Sequence, residues 1–129
     1  MSKLEKDSVI GISALLVHAA NIDEIYSEHE KDLVKDFIKS YLNDVDTNEI
    51  LKKAELIEKN SNQLLNYTNV IKKNSMDIKK DIIEHLWKVI ISDNSVDQYE
   101  ANLMRRICGL IYFPDKESAE IKLRLLNSK

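Results

Sequence analysis

The sequence predicts an all-α fold of about seven helices in one compact bundle, built around a helix–acidic loop–helix unit that occurs twice. Three observations carry that expectation. Apolar residues recur at spacings of three and four along most of the 129 residues, the period of helices that bury one side. Gly and Pro are scarce, at two and one, whereas an all-β fold uses many of both at its turns. Finally, two acidic stretches beginning at Asp23 and Asp93 read alike, and each lies between an apolar and an amphipathic helix.

The elements follow in order. Val9, Ile12, Leu16 and Ala19 share one helical face, with Ile10 and Val17 beside them. The segment from about Asp7 to Asn21 is therefore apolar around most of its circumference, apart from Ser13 and His18, as expected of a central buried helix. Leu33, Val34, Phe37, Ile38, Tyr41 and Leu42 form one stripe of a second helix, with Lys31, Asp32, Lys35, Asp36 and Lys39 facing water. A polar break over residues 43–48 precedes a third helix, on which Ile50, Ala54 and Ile57 align with Leu51 beside them. Asn60, Ser61 and Asn62 interrupt the pattern, and Leu64, Thr68 and Ile71 suggest a short fourth helix. Asn74 and Ser75 can cap a fifth, with Ile78, Ile82, Ile83, Leu86, Trp87, Val89 and Ile90 as its apolar residues. The sixth carries Leu103, Met104, Ile107, Cys108 and Ile111. Pro114 suits the first position of a seventh, where no N–H donor is needed, and that helix is expected to bury Ala119, Leu123 and Leu126. No low-complexity tract or linker divides residues 1–129, so one domain is expected.

Composition narrows the function. A formal net charge of −3 gives no pull toward a phosphate backbone, which argues against nucleic-acid binding. Cys108 is alone, so no disulfide can form within the chain and a Cys-rich zinc site is excluded; the expected location is cytoplasmic. Acidic residues interrupt the start, and the apolar run from Val9 to Ala20 is short, so neither a signal peptide nor direct membrane insertion is expected. Any membrane association would come through a protein partner.

The repeated stretches run Asp23-Glu24-Ile25-Tyr26-Ser27-Glu28-His29-Glu30 and Asp93-Asn94-Ser95-Val96-Asp97-Gln98-Tyr99-Glu100. The 70-residue shift that aligns them also superposes Ile12 on Ile82, Leu16 on Leu86, Leu33 on Leu103, Val34 on Met104 and Phe37 on Ile107. Two chemistries suit these residues. Ser27 with Glu30, and Asp97 with Glu100, have the spacing of capping boxes, in which the side chains satisfy N–H groups of the first turn. Tyr26 and Val96 would then pack inward as staples, and Asp23 and Asp93 would close the preceding helices onto the loop backbone. Alternatively Asp93, Asp97 and Glu100, with Asp23 and Glu30, supply oxygen ligands to a divalent cation, Ca²⁺ or Mg²⁺. The loops are not EF-hands, for they are short and lack the Asp-x-Asp-x-Asp-Gly series.

With these residues in view, the chain resembles the TerB (tellurite-resistance) family, whose loop reads Asp-Gly-x-apolar-Asp-x-x-Glu. The second copy matches through Asp93, Val96, Asp97 and Glu100, with Asn94 at the glycine; Asn tolerates left-handed geometry. The first keeps Asp23, Tyr26 and Glu30, with Glu24 at the glycine and Ser27 at the second Asp. The stretches from Tyr67 to Ile71 and from Ile82 to Ile107 are similar to stand-alone TerB-like proteins, and the resemblance spans about Val9 to Leu126. It implies an all-helical fold with two pseudo-symmetric halves, an association with metal or chemical stress and phage defence, no established catalytic activity, and loop carboxylates suggested as cation ligands.

Other groups favour plain roles. His18, His29 and His85 form no His-x-x-x-His pair, and no His-Glu-x-x-His occurs. Cys108 lies on an apolar stripe, which suits a buried, inert thiol. Arg105 and Arg106 are expected to pair with carboxylates on neighbouring turns, and Trp87 to join the core. With Gly only at positions 11 and 109, no phosphate-cradling loop can be drawn. The expected function is thus non-enzymatic: a module that binds a divalent cation through acidic interhelix loops and docks a protein partner. The other reading is a metal-independent interaction scaffold whose acidic residues only cap helices.

Overall fold

The computed structural model describes residues 4–21, 26–43, 45–60, 67–93 (Asp93 by its backbone alone) and 98–127. Within them the chain forms seven α-helices and no strand: α1 (Lys6–Ala20), α2 (Glu28–Tyr41), α3 (Thr47–Asn60), α4 (Thr68–Lys72), α5 (Met76–Ile90), α6 (Gln98–Ile111) and α7 (Asp115–Asn127). A short 3₁₀ turn, Ile91–Asp93, follows α5.

The sequence repeat is written into the helix limits. A shift of 70 carries Lys6 onto Met76, Ala20 onto Ile90, Glu28 onto Gln98 and Tyr41 onto Ile111, so α1 and α2 map onto α5 and α6 at both ends. α1 packs against α2 and α3, and α5 against α6 and α7, while α1 and α2 meet α5 between the halves. α4 joins the two halves and leans on α6.

α1 is the central helix that its apolar circumference predicts. Val9, Ile12, Leu15, Leu16 and Ala19 are fully buried, as is Ser13. One apolar core cluster joins side chains from all seven helices, with Phe37, Ile71, Ile82, Leu86, Ile107 and Ile121 among its members. Short polar side chains cap the starts of α3 and α5, whereas α1 and α4 have no side-chain cap. Ser75 Oγ accepts from Ile78 N–H at 3.3 Å, as expected of a cap there. Asp46 Oδ1 accepts from the N–H groups of Asn48 and Glu49 at 3.0 and 3.3 Å. α6 ends with Tyr112 in the left-handed region at φ 59°, and Phe113 N–H returns to the Cys108 carbonyl at 2.9 Å. That is the Schellman stop, with Tyr where Gly is usual, and it turns the chain into α7.

Three expectations need correction. α7 buries Ser118 and Ile121, with Leu125 and Leu126 half-buried, whereas Ala119 is exposed and Leu123 is 56% exposed. The buried face is turned because Ser118 Oγ accepts the buried Trp87 Nε1–H at 2.9 Å, which draws a polar residue inward. Pro114 stands one place before α7, its carbonyl accepting from Ser118 N–H at 3.1 Å. Arg105 and Arg106 are exposed and make no ion pair among the described residues, because Ala101, Asn102, Gly109 and Leu110 occupy the neighbouring turns. Leu64, expected in the fourth helix, lies outside the described residues.

Candidate functional site

The first loop is anchored on both sides. At its entry Asn21 N–H closes α1 onto the Val17 and His18 carbonyls at 3.0 and 3.1 Å. Its side-chain amide donates to Glu58 Oε1 on α3 at 3.1 Å, and His18 Nδ1 lies 3.5 Å from Glu58 Oε2. At its exit the capping box is complete: Ser27 Oγ accepts from Glu30 N–H at 3.1 Å, and Glu30 Oε1 accepts from Ser27 N–H at 2.8 Å. Tyr26 packs partly against the core. The position that a hydrophobic staple would pair with is Lys31, whose Nζ sits 5.2 Å over the Tyr26 ring, so a cation–π contact takes the staple's place. Burial, then the Glu55, Glu30 and Glu28 carboxylates, push the Tyr26 hydroxyl well above the usual phenol range. That hydroxyl is buried and closes no hydrogen bond of good geometry, although Glu55 faces it.

The two loop glutamates share one environment. Glu30 is 7% exposed and Glu100 is 4% exposed, each at the third residue of its helix and equivalent under the 70-residue shift. Carboxylates so placed near a helix N-terminus are favoured by the exposed N–H groups there. Of the other expected ligands, Asp23 and Asp97 lie outside the described residues, and Asp93 is placed by backbone alone, closing the 3₁₀ turn after α5. The Asp97–Glu100 box and the Val96 staple likewise lie outside them. Among the described residues, no three His, Cys, Asp or Glu side chains converge well enough to hold a metal ion. Glu30 and Glu100 alone fall short of the six to eight oxygens that Ca²⁺ takes, so a site would need the loop aspartates.

The structure adds Glu55 and Glu58, which reach the first loop from α3 and carry no local sequence signal. Glu58 is held by Asn21 and His18, and Glu28 pairs with Lys31 at 3.4 Å. The remaining candidates settle into plain roles. His29 is exposed. His85 Nδ1 lies 2.9 Å from the Asp81 carbonyl, and its ring meets Phe37 edge-on at 5.2 Å between centroids. Cys108 is buried, and burial pushes its thiol pKa up; the Ser118 hydroxyl opposes this and the Asp115 carboxylate adds to it. A thiol held protonated and out of water is a poor nucleophile. No helix among the described residues is long and apolar enough to cross a membrane.

Residues 10–123 match the family model described as "Tellurite resistance protein TerB". Neither the curated proteins nor the solved structures include a match to the chain.

Proposed function

The chain belongs to the TerB family, and from that premise we propose that it is a non-catalytic module of the tellurite or metal stress response. In this reading it binds a divalent cation, Ca²⁺ or Mg²⁺, at its acidic interhelix loops and thereby presents an ordered surface to a protein partner. Asp93, Asp97 and Glu100 are the leading ligands, with Asp23 and Glu30 second. The observation that supports it is the matched pair Glu30 and Glu100, two carboxylates held out of water at the entries of equivalent helices beside acidic loops. The second loop leads because it carries Asp97, a further carboxylate, where the first carries Ser27. A hard cation suits such carboxylate oxygens, and binding would order the loop between α5 and α6.

One observation favours a second reading. The closed Ser27–Glu30 box shows a loop glutamate satisfied by helix capping alone. If the second loop does the same, the protein is a metal-independent scaffold.

Thermal melts of chelator-treated protein, with and without millimolar Ca²⁺ or Mg²⁺, separate the two. A ligand at a hundred times its Kd stabilises the folded state by about 2.7 kcal/mol. The cation reading expects a raised midpoint that Asp93→Ala or Glu100→Gln abolishes. An unchanged midpoint with both ions would leave the scaffold reading standing.

A further inference from the structure

A cleft of about 440 Å³ runs between the end of α1 and the outer face of α6, lined by His18, Tyr99, Asn102, Leu103 and Arg106. That volume lies in the range of small-molecule sites. The four α6 residues fall at spacings of three and four and share one stripe, in which Leu103, 9% exposed, is at the edge of the core. Arg106 makes no ion pair among the described residues, on a chain whose net charge is −3. His18 is oriented by the Glu58 carboxylate at Nδ1, and Glu58 is itself held by Asn21, so its charge is already engaged. Tyr99 is 75% exposed, a large aromatic surface at the edge of the cleft.

The duplication supplies an internal comparison. The shift of 70 places His29, Asp32, Leu33 and Asp36 where Tyr99, Asn102, Leu103 and Arg106 stand. α2 and α6 have equal lengths, and both bury a glutamate and an apolar stripe, so packing does not require the exchange. Leu is kept, while two carboxylates are replaced by an amide and a guanidinium. One half thus shows an acidic stripe to water and the other a cationic, aromatic one.

We propose that this cleft binds a small organic anion with a flat apolar body, an aromatic carboxylate or phosphate monoester. Arg106 takes the anion, since its planar fork matches carboxylate and phosphate oxygens. The Asn102 amide and the His18 imidazole supply flanking hydrogen bonds, and the Tyr99 ring and Leu103 receive the apolar part. The site does not depend on the cation reading.

The test is an NMR titration of ¹⁵N-labelled full-length protein, in chelator, with phenyl phosphate and with benzoate. Inorganic phosphate and benzyl alcohol serve as the charged and apolar halves alone. At least one aromatic anion is expected to give saturable shifts at His18, Tyr99, Asn102, Leu103 and Arg106. The probe that saturates identifies the anion class. Each half-probe should bind at least about fivefold more weakly, and Arg106→Gln, at an exposed position, should weaken the aromatic anion about tenfold. No saturation with either anion, shifts centred elsewhere, or unchanged affinity in Arg106→Gln would overturn the proposal.

Discussion

The two glycines of the chain lie inside helices, Gly11 in α1 and Gly109 in α6, and neither has a positive φ. Helix propensity alone favours Ala over Gly at both places by about 1 kcal/mol. Their surroundings differ. A Cβ at Gly109 would meet nothing within 4 Å. A Cβ at Gly11 would stand 2.1 Å from Tyr67 Cδ1 and 2.2 Å from Cε1. Carbon atoms rest at roughly 3.5–4.0 Å, so the ring would have to retreat by about 1.5 Å. It is rigid, and it stands at the head of α4, whose Thr68 and Ile71 are buried. Overpacking of that kind costs about 1–3 kcal/mol. Gly109→Ala should therefore stabilise the fold by about 1 kcal/mol, while Gly11→Ala should show a net loss of up to about 2 kcal/mol. Urea unfolding followed by circular dichroism measures both, and the double variant Gly11→Ala/Tyr67→Ala completes a cycle. With the ring removed, the propensity gain at position 11 should return as a coupling of at least about 1 kcal/mol. If Gly11→Ala stabilises as much as Gly109→Ala, or the cycle shows no coupling, the Tyr67 contact does not explain the glycine.

Ser118→Ala leaves the buried Trp87 N–H without its acceptor and should cost about 1–3 kcal/mol, read as a lower urea midpoint; Ser118→Thr, which keeps a hydroxyl, tests whether the acceptor matters rather than the volume. Tyr41 Oη donates to Asp81 Oδ2 at 2.6 Å, and burial, then that bond and the Asp81 charge, raise its pKa above the ordinary 10.0. Folded Tyr41 thus keeps its proton where the unfolded chain ionises, so its contribution is complete below about pH 10 and declines as pH rises beyond it. Melts from pH 8 to 11 should show stability falling at the alkaline end with a shallower slope in Tyr41→Phe; equal slopes would show that Tyr41 is not the group responsible. At neutral pH the same variant should lose about 1.5–3 kcal/mol, the worth of a hydrogen bond to a carboxylate.

Much of this architecture is legible in the sequence because α1, α2, α5 and α6 each state their buried face in local spacing, and the repeat states it twice. Ser27-x-x-Glu30 also reads locally, since all partners of a capping box lie within four residues. α7 was out of phase because its inward residue is polar: Ser118 turns in to meet Trp87 from α5, and no local pattern encodes that meeting. Glu55 and Glu58 approach the first loop only once α3 packs on α1. That Arg105 and Arg106 make no ion pair among the described residues is also legible, since no carboxylate stands one turn away on α6. So is the stripe from Tyr99 to Arg106, where the second half departs from His29, Asp32 and Asp36 of the first. Of the five expected cation ligands, the structure describes the side chains of Glu30 and Glu100 alone.

The near-total burial of α1 has a consequence for synthesis. Its largest helical contacts are with α3, α2 and α5, and the Tyr67 ring lies against Gly11. On a ribosome, α2 and α3 emerge directly behind α1 and can gather around it at once. The helix that closes its last face is α5, which begins 70 residues behind the start of α1. At roughly 5–20 residues per second, that face waits about 4–14 s, wet and apolar, before its partner arrives. For that interval the nascent chain is a client for whatever holds apolar surfaces apart in the cell, and a pause in translation between α3 and α5 would lengthen its exposure.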